Sequence, residues 1–246
     1  MSRLDWQIGT VTAITSETSR VKTFTLSLPQ WTAHRAGQHY DLRLTAPDGY
    51  QTQRSYSVAS PPEQTGEIVL TVELIADGEV SAYLYEGVAV GDQLEVRGPI
   101  GGYFVWPAGA PAAPILLVAG GSGIVPLMAV LRHRQRAGLP NSAVLLFSVR
   151  APKDVIYQHE LKAMSQTDPA FTLLLTYTRR GPAGWLGYQR RIDAAMLGEA
   201  VGRLPGPPQC YICGPTGLVE NAATLLQAQG LPDEAIRTER FGPTGS

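Results

Sequence analysis

The sequence predicts an antiparallel Greek-key β-barrel over residues 1–107 and an α/β domain with a parallel sheet over residues 115–246. Up to about residue 100, short runs of alternating apolar and polar residues are divided by turn signals, as in antiparallel strands. Residues 107–114 are rich in proline and alanine, which is typical of a linker, here placed at 108–114. Beyond it, apolar strands alternate with helical segments, which favours strand–helix–strand units.

The barrel strands have period-two signals separated by short turns. Alternating apolar residues occur at 24–28, 40–44, 68–74 and 94–97. Asp48-Gly49 and Asp77-Gly78 are hairpin-type turns, and one brief helix is expected near 81–85. Many short strands with a single helix predict closure into a barrel.

The second domain carries the signals of a doubly wound, Rossmann-like sheet. Ile115–Val118 is a continuous apolar run, as expected of a parallel strand buried on both faces. The remaining predicted elements are strands at 143–147, 171–177, 209–213 and 236–241, and helices at 125–136, 154–164 and 216–229.

Composition excludes several classes of function. A net charge of −1 gives no sign of a nucleic-acid partner. The first residues lack the apolar core of a signal peptide and no stretch is long enough for a membrane span, so a cytoplasmic location is expected. The two cysteines are too few to ligate an iron–sulfur cluster within the chain, so a one-electron carrier would be a separate molecule.

The turn Gly120-Gly121-Ser122-Gly123 is a candidate phosphate site. It joins an apolar strand to a helix, an arrangement that aims backbone N–H groups and the helix dipole at an anion. Pro126 lies in the first helical turn, where its missing N–H costs nothing. The spacing differs from G-x-G-x-x-G, and a tight turn without a ligand is the alternative.

A second candidate site lies in the barrel. In Arg54-Ser55-Tyr56-Ser57, arginine can pair with a phosphate, tyrosine can stack on a flat ring, and serine can hydrogen-bond a ring nitrogen. Alone, this pattern is typical of an exposed strand end. Gly78-Glu79-Val80-Ser81 adds a hydroxyl and free amides at a helix start, a further anion site.

The cysteines and histidines do not support metal or hydrolytic chemistry. Cys210 and Cys213 are three apart on one predicted strand and face opposite sides, which makes a disulfide awkward and suggests one core cysteine and one site cysteine. Zinc would need further ligands, and none of the four histidines is close in sequence. His39 could be structural, and His133 is expected on a polar helix face.

Taken in order, these motifs resemble the ferredoxin–NADP⁺ reductase superfamily over nearly the whole chain, in a form without an iron–sulfur domain. The motifs are Arg54-x-Tyr56-Ser57, Gly78-x-x-Ser81, Gly98-Pro99-x-Gly101, Gly120-Gly121-x-Gly123-x-x-Pro126, Cys213-Gly214-Pro215 and Glu239-x-Phe241. The resemblance implies a flavin-binding barrel and a second domain that binds a nicotinamide nucleotide.

For the flavin, the resemblance implies that Arg54 and Ser81 hold the pyrophosphate, that Tyr56 stacks on the ring, and that Ser57 lies near N5, the atom that accepts hydride. The other implied flavin contacts are Ser55, Gly78 and Val80. The resemblance implies FAD, with FMN as the alternative.

For the nucleotide, the resemblance implies Cys213 beside the nicotinamide C4, Glu239 near the flavin, and Phe241 over the flavin face. The other implied contacts are Gly120, Gly121, Ser122, Gly123, Val125, Gly214 and Pro215. Val125 stands where the family often has threonine, which removes a hydroxyl from the pocket. Residues 242–246 follow Phe241, so the aromatic is not terminal here.

Coenzyme choice depends on cations near the adenosine 2′-phosphate. Arg150, Arg179 and Arg191 stand at about the positions where NADPH-preferring members of the family place arginines. They predict that the coenzyme is NADPH rather than NADH. The alternative is that these arginines only form a solvent-exposed surface.

The sequence therefore predicts a flavoprotein that takes hydride from NADPH and passes electrons singly to a separate acceptor, most simply a ferredoxin. A flavodoxin, or the haem or molybdenum centre of a partner enzyme, is also open. Alternatives are a reductase subunit of a larger oxygenase or oxidoreductase and, from another class, a non-catalytic flavin-binding electron-transfer module.

Overall fold

A computed structural model describes residues 4–107 and 113–241 of the chain. The chain divides into two compact units, Met1–Ala108 with Met128–Ala137 and Gly109–Leu127 with Gly138–Ser246. The proposed linker at 108–114 falls largely outside the described residues, so the domain limits remain a prediction. In the described ranges, no helix is both long and apolar enough to cross a membrane.

The first unit is built on a six-stranded antiparallel sheet. Its elements are β1 (Gln7–Thr18), β2 (Val21–Ser27), β3 (His39–Thr45), β4 (Gln51–Ser57), β5 (Glu67–Glu73), α1 (Glu79–Glu86) and β6 (Gln93–Ile100). The strand order is β4-β3-β6-β1-β2-β5. A bridge from Val58, just after β4, to Leu70 in β5 joins the two edge strands, so the sheet closes into a barrel.

The period-two residues of the sequence form the barrel core. Phe24, Leu26, Tyr40 and Leu42 are all buried because alternate side chains of β2 and β3 point inward. Strand β4 differs, since all of its residues are exposed or half-buried. Although β4 belongs to a closed barrel, none of its side chains is fully buried.

The second unit is built on a five-stranded parallel sheet flanked by helices. Its elements are β7 (Ile115–Gly120), the start of α2 (Ile124–Arg136), β8 (Ala143–Val149), α3 (Gln158–Thr167), β9 (Phe171–Tyr177), α4 (Ala194–Gly202), β10 (Gln209–Pro215), α5 (Thr216–Ala228) and β11 (Ile236–Phe241). From Met128 onward, α2 belongs to the first unit. The order β11-β10-β7-β8-β9 reverses direction between β7 and β10. The predicted fold class, a barrel followed by a Rossmann-like sheet, is confirmed.

Two local expectations were wrong, and one helix was not predicted. The helix predicted from residue 154 begins at Gln158, because Tyr157 before it has a left-handed φ of 57°. Helix α4 was not predicted, although Asp193 caps it by accepting a hydrogen bond from Met196 N–H at 2.9 Å. His133 is buried rather than on a polar face, and its Nδ1 lies 2.5 Å from a Glu63 carboxylate oxygen.

The close packing of Gly98 against Tyr40 should make the barrel intolerant of a side chain at position 98. A Cβ on Gly98 would lie 2.6–2.8 Å from three ring atoms of Tyr40, which is fully buried and cannot move aside. We expect Gly98→Ala to lower the free energy of unfolding by about 2–3 kcal/mol in urea titrations.

The matched control is Gly202→Ala at the end of α4, where a Cβ meets nothing within 4 Å. Its stability should be unchanged or slightly raised, since alanine favours helix. Equal stabilities for the two variants would contradict the packing argument.

Candidate active site

Two glycine-bearing turns meet at the carboxyl ends of β7 and β10. A Cβ on Gly123 would lie 2.0 Å from the Cys213 carbonyl oxygen, and one on Gly214 would lie 3.2 Å from the Gly120 backbone. Only glycine permits the approach at Gly123. The strand order reverses at this point, which is where open α/β sheets bind ligands.

The turn after β7 leads into α2 through a single 3₁₀ turn. Gly121 has a φ of +54°, a conformation that glycine adopts without cost. Ser122 and Gly123 complete the 3₁₀ turn before α2 begins at Ile124. Val125 is buried in the first turn of α2, so its apolar side chain faces protein where a threonine would add a hydroxyl.

Cys213 and Glu239 form a pair at the ends of two neighbouring parallel strands. They are register partners in β10 and β11, and the Cys213 thiol lies 3.7 Å from a Glu239 carboxylate oxygen. Burial and the nearby Glu239 raise the pKa of the Cys213 thiol well above its usual range, so the sulfur is protonated at neutral pH. Burial also raises the pKa of Glu239 to about 7, although the hydrogen bond from Cys213 opposes this.

The pair combines an uncharged thiol with a carboxyl group that can gain or lose a proton near neutrality. A thiolate nucleophile is not available there, because desolvation opposes the charged form of Cys213.

Phe241 and Pro215 are register partners two residues further on, and Phe241 is half-buried. Residues 242–246, the tail predicted to follow the aromatic, lie outside the described residues.

The three candidate arginines lie beside the carboxyl ends of β8 and β9. Arg179 N–H donates to the Arg150 carbonyl at 3.0 Å, which places these two residues side by side. Arg191 follows a segment held to β9, where the Thr176 hydroxyl donates to the Arg190 carbonyl at 2.5 Å. Over residues 4–107 and 113–241, the guanidinium groups of Arg150, Arg179 and Arg191 make no ion pair, which leaves them available for an anion.

In the barrel, β4 presents Arg54 and Tyr56 on one face and Ser55 and Ser57 on the other. The Arg54 guanidinium is exposed and donates to the Gln53 carbonyl at 2.7 Å. Tyr56 is half-buried against the barrel core, and burial raises its pKa to about 12. Tyr56 therefore presents a neutral ring.

At the anion site predicted at the start of α1, the Ser81 hydroxyl is already used in local hydrogen bonds. The Ser81 hydroxyl donates to the Gly78 carbonyl at 3.0 Å and accepts from Ile75 N–H at 3.1 Å. Ser81 and Val80 are buried at the start of α1. At this helix end, an anion would therefore be bound by the backbone N–H groups rather than by the serine hydroxyl.

Sequence reasoning missed a buried carboxylate on the barrel. Asp41 accepts hydrogen bonds from Arg97 Nη2 and from the Ser55 hydroxyl, each at 2.7 Å. These bonds and the Arg97 charge outweigh desolvation and lower the pKa of Asp41. Asp41 stands at a polar position of the alternating β3 pattern, so the sequence gives no local sign that it is buried. Arg180, next to Arg179, was also not among the predicted site residues.

The residues described contain no group of three or more His, Cys, Asp or Glu side chains that could hold a metal ion. Cys210 and Cys213 are both free thiols.

Fold and site thus define an oxidoreductase with an FAD-binding barrel and a nicotinamide-nucleotide-binding α/β domain. The model of the oxidoreductase FAD-binding domain matches residues 9–105, and that of the oxidoreductase NAD-binding domain matches residues 117–224. The chain belongs to the ferredoxin–NADP⁺ reductase family of flavoproteins.

Curated relatives include two kinds of reductase. The chain is 33% identical over 210 residues to ferredoxin–NADP reductase B of Sorangium cellulosum, covering 84% of each chain. It is 31% identical over 211 residues to the glycine betaine monooxygenase reductase subunit of Pseudomonas aeruginosa, covering 85% of this chain. The chain spans only 57% of the length of that relative.

Solved structures share the fold across both domains. A ferredoxin NADP⁺ reductase from Neisseria gonorrhoeae has a TM-score of 0.79 at 22% identity, covering 96% of this chain and 98% of that one. The Amycolatopsis cytochrome P450 reductase GcoB has a TM-score of 0.84 at 22% identity, covering all of this chain and 72% of that one.

The raised pKa of Glu239 predicts a pH-dependent stability. Between about pH 4.5 and 7 the folded protein holds a proton on Glu239 that the unfolded chain has lost, so the free energy of unfolding falls as pH rises and then levels off. Glu239→Gln removes this decline. Between pH 4.5 and pH 7, we expect the free energy of unfolding of the variant to rise by on the order of 2 kcal/mol relative to that of the parent. Urea unfolding at a fixed FAD concentration measures this difference.

Glu86→Gln, at an exposed position of α1, is the matched control and should follow the parent at every pH. A constant difference between Glu239→Gln and the parent from pH 4.5 to 8 would show that Glu239 titrates normally.

Proposed function

We propose that this chain is an NADPH-dependent flavoprotein reductase that delivers electrons singly to a separate iron–sulfur ferredoxin. The observation that carries the proposal is the Cys213–Glu239 pair beside Gly123 at the switch point of the sheet. A structural nucleotide-binding domain needs the glycine turn alone. A buried neutral thiol beside a carboxyl group with a pKa near 7 is instead suited to redox chemistry at a bound ring.

The residues of β4 fit a flavin. Arg54 and Tyr56 share one face of a barrel strand whose side chains are all exposed or half-buried, as a strand that binds a ligand requires. Arg54 supplies a charge for a phosphate, Tyr56 a neutral ring for stacking, and Ser57 a hydroxyl. When bound, FAD would accept two electrons from a nicotinamide and release them one at a time.

The second domain fits a phosphorylated nicotinamide nucleotide. The backbone of the Gly120–Gly123 turn and the α2 N-terminus would hold its pyrophosphate. The thiol of Cys213 would offer an uncharged surface to the nicotinamide, which excludes water without placing a negative charge beside it. Arg150, Arg179 and Arg191 would hold the 2′-phosphate, which NADH lacks.

A ferredoxin is favoured as acceptor by one comparison. The relative that this chain matches over 84% of both lengths is named a ferredoxin–NADP reductase. The printed names of several longer relatives favour a second candidate, a reductase component of an oxygenase, among them the propane 2-monooxygenase reductase component of Rhodococcus jostii. Reduction of a ferredoxin added with NADPH and the purified chain tests the first candidate directly.

Anaerobic mixing with NADPH should bleach the flavin absorbance of the FAD-loaded protein.

Arg150→Ala, Arg179→Ala and Arg191→Ala should each raise the KM for NADPH about tenfold, since each removes a charged hydrogen bond to phosphate. The KM for NADH should stay within twofold in all three variants, as measured by steady-state ferricyanide reduction.

Arg203→Ala is the control, because that arginine pairs with Glu199 at 2.6 Å on α4. Its KM for NADPH should equal that of the parent. If the flavin absorbance does not fall when NADPH is added, the proposed function is wrong. If the three arginine variants change the KM for NADPH and the KM for NADH equally, only the assignment of these arginines to the 2′-phosphate is wrong.

A further inference from the structure

The segment that follows β9 closes on itself beside the carboxyl end of that strand. Tyr177 N–H donates to the Tyr188 carbonyl at 3.1 Å, and a parallel bridge joins Thr176 to Tyr188. Residues 178–187, named the β9–α4 loop, therefore leave the sheet and return to it at the same point. A compact surface loop of this kind is held in shape by the packing of its own side chains.

Trp185 supplies the packing inside the β9–α4 loop. A Cβ on Gly187 would lie 2.5 Å from one indole carbon and a Cβ on Gly181 would lie 3.0 Å from another, so the ring fits because both positions lack a side chain. The indole also meets the Tyr177 ring in a T-shaped contact, with ring centroids 5.0 Å apart. Its N–H donates to the Tyr188 carbonyl at 3.1 Å, the same oxygen that accepts from Tyr177 N–H. One side chain thus contacts both ends of the loop.

The next residue of the loop points the other way. The Leu186 side chain is 100% exposed, whereas Trp185 is half-buried. Gly184, just before them, has a φ of +74°, which lets the backbone turn the indole inward. The indole therefore serves the inside of the loop, and Leu186 offers a neighbouring position with no such task.

The β9–α4 loop begins with arginines of the proposed 2′-phosphate site. Arg179 N–H and Arg180 N–H both donate to the Arg150 carbonyl, at 3.0 and 3.3 Å, which attaches the start of the loop to the end of β8. Arg191 follows the other end of the loop. Arg150, Arg179 and Arg191 are all exposed. The spacing of these guanidinium groups therefore depends on the conformation of the loop backbone.

We infer that Trp185 is a positioning residue for the 2′-phosphate of the coenzyme, an inference that rests on the proposed function and deepens it. The indole does not touch the phosphate. It fixes the backbone from which Arg179 extends, so that this guanidinium group stands beside those of Arg150 and Arg191 before the coenzyme arrives. A loop that had to become ordered on binding would cost part of the binding free energy, and packing around the indole avoids that cost. NADH has no 2′-phosphate, so its binding does not depend on this packing.

The direct test compares adenosine 2′,5′-bisphosphate with 5′-AMP, which differ only by the 2′-phosphate, in calorimetric titrations of the FAD-loaded protein. Trp185→Ala should weaken binding of the bisphosphate about tenfold and change that of 5′-AMP less than about twofold. Gly187→Ala should give the same pattern, because its Cβ displaces the indole without removing a hydrogen-bonding group. Leu186→Ala is the matched control and should equal the parent for both nucleotides.

Turnover with ferricyanide as the electron acceptor gives a second readout. Trp185→Ala should raise the KM for NADPH about tenfold and leave kcat and the KM for NADH within about twofold. Since Trp185 acts through Arg179, the double variant Trp185→Ala/Arg179→Ala should have the same KM for NADPH as Arg179→Ala alone.

Three results would overturn the positioning role. They are unchanged bisphosphate binding in Trp185→Ala, equal losses for the bisphosphate and 5′-AMP, and a double variant in which the two effects multiply. A parent protein that binds the bisphosphate no better than 5′-AMP would overturn the NADPH assignment of the proposed function, and the positioning role with it.

Discussion

The contact between Gly123 and the Cys213 carbonyl governs the second domain. Because a Cβ at position 123 would stand 2.0 Å from that oxygen, the turn after β7 and the end of β10 can meet only through glycine. The approach brings the start of α2 to the point where the strand order reverses. It also places Cys213 and its register partner Glu239 at the same edge. The candidate anion site at the glycine turn and the Cys213–Glu239 pair thus depend on one close contact.

The barrel differs from the second domain because its strand β4 has no fully buried side chain. Phe24, Leu26 and Tyr40 fill the interior from β2 and β3, so the stability of the barrel does not require β4 to bury its own side chains fully. Arg54 is exposed, whereas Tyr56 packs partly against the barrel core. Buried polar groups stand close behind them, with Asp41 satisfied by Arg97 and Ser55.

Burial also divides the chemistry among the polar groups. The same desolvation keeps Cys213 protonated, brings the pKa of Glu239 to about 7 and holds His39 neutral. Each group would behave as an ordinary thiol, acid or base in water. In the folded chain Cys213 is an uncharged thiol, and Glu239 is a carboxyl group that can gain or lose a proton near neutral pH.

The sequence by itself determined the order of the two domains, most strand positions and the motif residues, because period-two alternation, apolar runs and glycine turns are local signals. It did not yield α4, the start of α3 or the burial of His133, which depend on a cap, a left-handed residue and a partner at Glu63. Only the tertiary structure decided the pairings of Cys213 with Glu239 and of Asp41 with Arg97. The physical reason is that strand register and desolvation arise between segments distant in sequence, and a linear pattern carries no record of which distant residues become neighbours.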